Sequence, residues 1–66
     1  MSVARVTEIS ARGDSYDGAI KAGIDRAKKT LRGVQHVYVQ DHEVYLDDGE
    51  VREHQVAMKV TFTLDD

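Results

Sequence analysis

Between Tyr16 and Leu31, apolar or small residues recur every three or four positions: Tyr16, Ala19, Ile20, Gly23, Ile24, Ala27 and Leu31. That spacing gathers them on one face and predicts a helix over Ser15 to Arg32. Asp14 or Ser15 is placed to cap its start, and Asp17 adds negative charge in the first turn, while Lys28, Lys29 and Arg32 sit at the carbonyl-rich end. Gly33 is expected to stop the helix by taking the left-handed conformation common at C-terminal caps. The rest of the chain follows a period of two. Val56, Met58, Val60, Phe62 and Leu64 alternate with Gln55, Ala57, Lys59, Thr61 and Thr63, so Val51 to Leu64 predicts a strand with one fully apolar face. Val34 to Leu46, rich in Val and Tyr, predicts another. Within it Val37 and Val39 share one face and Val34, His36, Tyr38 and Gln40 the other, yet Val44 and Leu46 have the opposite parity. The phase therefore changes between Gln40 and Glu43, which predicts a β-bulge or a sharp bend there. Asp47, Asp48, Gly49 and Glu50 predict a tight hairpin, because Asp-Gly suits positive φ angles. Val3 to Ser10, with Val3, Val6 and Ile9, predicts a first strand of imperfect alternation, and Ala11 to Asp14 a turn into the helix. The simplest assembly is a sheet laid over one helix, a β-α-β-β chain of class α+β.

Length changes this picture more than composition does. No repeat, linker or low-complexity tract divides the 66 residues, so a single domain over residues 1–66 is expected. A chain this short buries only about 60% of the surface its unfolded form exposes. Small domains make up the deficit with disulfides, metals or self-association, and there is no cysteine for the first of these. Self-association is the expected route. Lack of cysteine fits a reducing compartment, and no apolar stretch suits a signal peptide or a membrane span, so the expected location is the cytoplasm. A net charge of −3 without a basic run argues against nucleic-acid binding.

Little here suggests catalysis. The turn before the helix has one glycine where phosphate-binding loops need several, and no nucleophile motif is present. Asp47, Asp48 and Glu50 lack the ligand spacing of a calcium loop, and His36, His42 and His54 lack short metal-ligand spacing, so no metal site is expected. More informative is the face left over. If Val37 and Val39 face the helix, then His36 and Tyr38 face away from it, and Gln55 faces away on the last strand. An aromatic ring, an imidazole and a carboxamide on a sheet face without a helix of its own suit a subunit interface or a flat planar ligand.

The order strand, helix, strand, strand, with Arg26-Ala27-Lys28-Lys29-Thr30-Leu31 on the helix and the run Gln55 to Leu64 at the end, resembles the dodecins over nearly the whole chain. The resemblance implies a three-stranded antiparallel sheet wrapped around one helix and a hollow homo-oligomeric shell of twelve copies. It further implies a binding protein rather than an enzyme, one that holds riboflavin, FMN or FAD at subunit interfaces, stores it and quenches it. In the family's pattern a Trp early in the second strand stacks on the flavin ring, and a Gln in the third bonds its polar edge. Gln55 matches that Gln, Asp41 matches an acidic residue near the site, and His36 stands where the Trp would be. Tyr38, two residues along the same face, is the candidate to share the stacking, with Val37 and Tyr45 as further candidate contacts. The resemblance also leaves an alternative, a shell that binds a cation or coenzyme A, or that is purely structural.

Overall fold

The computed structural model describes residues 3–64. Along these residues the chain forms β1 (Val3–Gly13), α1 (Tyr16–Thr30), β2 (Val34–Asp47) and β3 (Glu50–Leu64). The strands make one antiparallel sheet in the order β1-β3-β2, with α1 against one side. The most regularly alternating strand is therefore the central one, flanked on both edges.

Ser15, in extended conformation, caps α1: its Oγ accepts the Gly18 N–H at 2.9 Å and satisfies a donor that the first turn leaves free. Two boundaries differ from the sequence expectation. The helix ends at Thr30 rather than Arg32, with Leu31 extended as its cap and the Leu31 N–H bonded to the Ala27 carbonyl at 2.8 Å. Gly33 does have a positive φ of 62°, but it turns the chain into β2 instead of capping the helix. Its carbonyl accepts both the Thr63 N–H at 3.1 Å and the Thr63 hydroxyl at 3.2 Å, so the turn is tied to the end of the central strand. The second difference is in β1, which runs on through Ala11 and Arg12 to Gly13 where a turn was expected, because each of these residues finds a partner on β3.

The expected change of phase is present. The β2–β3 register shifts between Val39 and Asp41, leaving Gln40 as the extra residue, and two further shifts lie at Val34/His36 and Tyr45/Leu46. The hairpin tip has Asp48 at φ 54° and Gly49 at φ 80°, the two consecutive positive angles of a turn whose twist matches that of the strands it joins.

The helix stripe and the strand alternation meet as the pattern requires. Ala19, Ala27, Val56, Met58 and Val60 are buried, and Ile9, Ala11, Ile20, Val37 and Val39 pack around them. The first-strand apolar residues do not share a face: Ile9 pairs with Met58 on the helix side, whereas Val6 pairs with Thr61 and is 58% exposed.

Length sets the limit of this core. A helix of 15 residues spans about 22 Å at 1.5 Å per residue, whereas a strand of 15 residues spans about 50 Å. The helix covers less than half of the ribbon, which explains the 52 × 19 × 13 Å extents. The radius of gyration is 13.7 Å, against about 11 Å for a compact chain of this length. The accessible surface is 4970 Å², against about 4,200 Å² for a monomer of this mass. Val44, Leu46 and Val51, at the hairpin end, remain exposed. A ribbon that outruns the helix of the described residues leaves apolar area exposed.

Candidate functional site

The bulge at Gln40 decides which side chains of β2 share the uncovered face. Before it, His36 pairs with Thr61 and Tyr38 with Lys59; after it, Asp41 pairs with Ala57, Glu43 with Gln55 and Tyr45 with Glu53. One extra residue shifts the alternation, so His36 and Tyr38 before Gln40 and Asp41, Glu43 and Tyr45 after it lie on the same side, away from α1, whereas Val34, expected on the face of His36, pairs with Phe62 on the helix side because of the register shift that follows it. His36, Tyr38, Asp41, Tyr45 and Gln55 are thus all on this face. Val37 is not. It pairs with Val60 and packs against the core, so its side chain is on the helix side.

Along the central strand these residues form a row rather than a cluster. Tyr38, 58% exposed, lies beside Lys59 at one end, and Gln55 lies four residues away, about 13 Å at the ordinary strand rise. His36 is opposite Thr61, six residues or about 20 Å from Gln55. Between the two ends the small side chain of Ala57 leaves a shallow hollow of about 330 Å³, walled by Glu8, Ser10, Gln40 and Asp41. No single planar ring touches both His36 and Gln55 of one chain. A site that uses both has to be closed by a second copy.

Gln55 itself is held on two sides. Arg12 Nε donates to Gln55 Oε1 at 2.8 Å, and Gln55 Nε2 donates to Glu43 Oε1 at 3.4 Å. A guanidinium only donates and an ionised carboxylate only accepts, so these neighbours fix which way the amide points. One lone pair on Oε1 and one N–H on Nε2 stay free. Arg12 also bonds Glu53 at 3.1 Å and lies 5.2 Å from the centre of the Tyr45 ring, with Arg52 on the same ring at 5.9 Å. Tyr45 is therefore occupied as an arginine platform, worth about 0.5–1 kcal/mol per contact at such exposed sites. Sequence reasoning missed Arg12, Glu43 and Glu53. Arg12 fell in the stretch read as a turn, although Val6, Glu8, Ser10 and Arg12 continue the strand alternation that would have placed it beside Gln55.

The other two histidines lie on the opposite side. His42 pairs with buried Val56, and His54 pairs with Val44 and Gly13, so both face α1. Their side chains meet there, Nε2 of His42 to Nδ1 of His54 at 2.9 Å, and the Tyr16 ring packs on His42. Among the described residues, no group of three or more His, Cys, Asp or Glu side chains converges as a metal site, and no helix is long and apolar enough to cross a membrane.

The family model described as Dodecin matches residues 3–65. The chain belongs to the dodecin family. The dodecin from Streptomyces davaonensis is 38% identical, with 98% of this chain and 97% of that one covered at a TM-score of 0.94. The dodecin from Streptomyces coelicolor is 32% identical over 98% and 94%, at a TM-score of 0.93. A mutant of the Thermus thermophilus dodecin is 28% identical over the full length of both chains, at a TM-score of 0.94. No curated protein matches the chain. Dodecins are binding proteins that form homo-oligomers and bind small molecules.

Proposed function

We propose that this dodecin is a flavin-binding and storage protein without catalytic activity, a cytoplasmic homo-oligomer of twelve copies that holds riboflavin, FMN or FAD between facing sheets. The observation that carries the reading is the uncovered face itself: an exposed tyrosine, an imidazole and an oriented carboxamide flank a hollow floored by alanine. These residues suit the guest. A flavin supplies a planar, light-absorbing ring with a polar edge that carries alternating donors and acceptors. Tyr38, and His36 with a smaller aromatic face, offer stacking surface; Gln55 offers one donor and one acceptor to the polar edge; Asp41 borders the hollow. The 20 Å gap between His36 and Gln55 supports a site shared by copies, with each chain giving its aromatic end to one ring and its amide end to another. An electron-rich ring stacked on a flavin quenches the excited state by rapid electron transfer, which limits photochemical damage.

Titration of riboflavin fluorescence tests this. Quenching is expected, saturating at a fixed ratio of ligand to chain. Gln55→Ala is expected to weaken binding about fivefold to tenfold, the value of one net hydrogen bond, with the oligomer intact by light scattering. Absence of quenching at tens of micromolar protein refutes flavin binding and leaves the cation, coenzyme A or purely structural reading. A monomeric mass refutes the shared site.

A further inference from the structure

We propose that His42 and His54 form a two-imidazole chelate for a divalent late first-row transition ion, with Ni²⁺ or Cu²⁺ preferred, on the helix side of the sheet. The two residues are far apart in the chain and meet only because β2 and β3 pair. Their facing nitrogens are 2.9 Å apart, the ring planes differ by 19° and the ring centres are 5.1 Å apart. That centre-to-centre distance is close to the N···N distance plus two ring radii. The rings therefore meet edge to edge, nearly in one plane, with both in-plane nitrogens aimed into the same space.

A neutral imidazole has one donor and one acceptor nitrogen, so the pair is joined here by a single N–H···N bond. Moving that proton to the far nitrogen of its own ring frees two lone pairs without loss of charge. Two nitrogens each about 2.05 Å from an ion and at a right angle to one another are about 2.9 Å apart. The pair has that separation, but its lone pairs point at each other along the N···N line, so each ring turns by roughly 45° at its χ angles to aim at a shared ion. Imidazole suits Zn²⁺, Cu²⁺ and Ni²⁺, and the affinity of a nitrogen site rises along the first row through Ni²⁺ to Cu²⁺ before falling at Zn²⁺, which favours Cu²⁺ and Ni²⁺. Approach is from the exposed side of His42. His42 is exposed and His54 half-buried, and the Tyr16 ring, 4.6 Å from His42, steadies that imidazole from α1, while the Gly18–Ala19 backbone closes the space over Gly13, opposite His54 on β1. Water completes the coordination. This site is on the side of the sheet away from His36, Tyr38 and Gln55, so it stands whether or not flavin binds.

The test is calorimetric titration of the intact oligomer with NiCl₂ at pH 7.5. One ion per chain is expected. His42→Ala and His54→Ala are each expected to lower the affinity at least tenfold, and the double variant, which keeps His36, to match either single variant, because a chelate is lost with its first arm. Single-variant changes under threefold, or losses that multiply in the double variant, overturn the proposal. As a check that needs no variant to fold, Cu²⁺ electron paramagnetic resonance of the unaltered protein should show two coordinated imidazole nitrogens; a single nitrogen overturns the chelate.

Discussion

Where the helix meets the sheet, the fit rests on one absent side chain, and a double-mutant cycle measures it. Gly23 is buried on α1, and a Cβ built there overlaps the Met58 methyl and lies 3.2 Å from Ala11 Cβ. Met58 is 1% exposed on the central strand. Met58→Ala empties that space and should cost about 2–4 kcal/mol, a large share of what a core this small supplies. Gly23→Ala alone adds overlap worth about 1–3 kcal/mol, offset by about 1 kcal/mol of helix propensity, so it should be neutral to mildly destabilising. In the Met58→Ala background the same methyl enters vacated space. It then keeps the propensity gain and fills part of the cavity, so Gly23→Ala should stabilise by about 1.5 kcal/mol. The cycle therefore predicts a favourable coupling of about 2 kcal/mol, within the range seen for residues in contact. Urea unfolding of all four proteins at one chain concentration gives the number, with light scattering to show that the oligomers match, since association contributes to apparent stability. Additive effects, within about 0.5 kcal/mol, would refute close packing of α1 on β3 at this point.

Two further outcomes are expected. Ser15→Ala removes the acceptor of the Gly18 N–H and should cost about 1 kcal/mol by urea unfolding, with Ser15→Asp restoring most of it; equal stability of all three would show that the cap is dispensable. The hydrogen bond from Lys21, at 2.9 Å, holds the Asp25 carboxyl below its ordinary value, with charge from Lys21, Lys28 and Lys29 acting in the same direction. A carboxylate shifted downward stabilises the fold above its unfolded pKa and loses that contribution as pH falls through the folded one. Asp25→Asn should thus lower the urea midpoint slightly at pH 7, and the gap should close near pH 2; a gap that persists at pH 2 contradicts the pairing.

Much of the architecture could be read along the chain because it rests on local rules. The helix stripe, the Ser15 cap, the Asp48-Gly49 turn and the alternation of the last strand depend on residues a few positions apart, and the structure has each of them. Even the bulge was visible, since one inserted residue reverses the parity of every apolar position that follows it. Placement of Tyr38, His36 and Gln55 on one uncovered face followed from the same parity. The helix C-terminus was less legible: Gly33 has the left-handed angle, but its carbonyl is held by Thr63, thirty residues on, and no local rule contains that contact.

Register is what tertiary structure added. Strand pairing decided that β1 runs to Gly13, that Arg12 and Glu43 fix the Gln55 amide, that His36 and Gln55 lie at opposite ends of one row, and that His42 meets His54. None of these follows from spacing along the chain, because each depends on which residue of one strand stands opposite which residue of another. The sequence by itself determined the elements and their apolar faces, since those arise from periodicity and local hydrogen bonding. Only the folded sheet decided which polar side chains are neighbours, since cross-strand contacts join residues whose separation in sequence carries no signal of their separation in space.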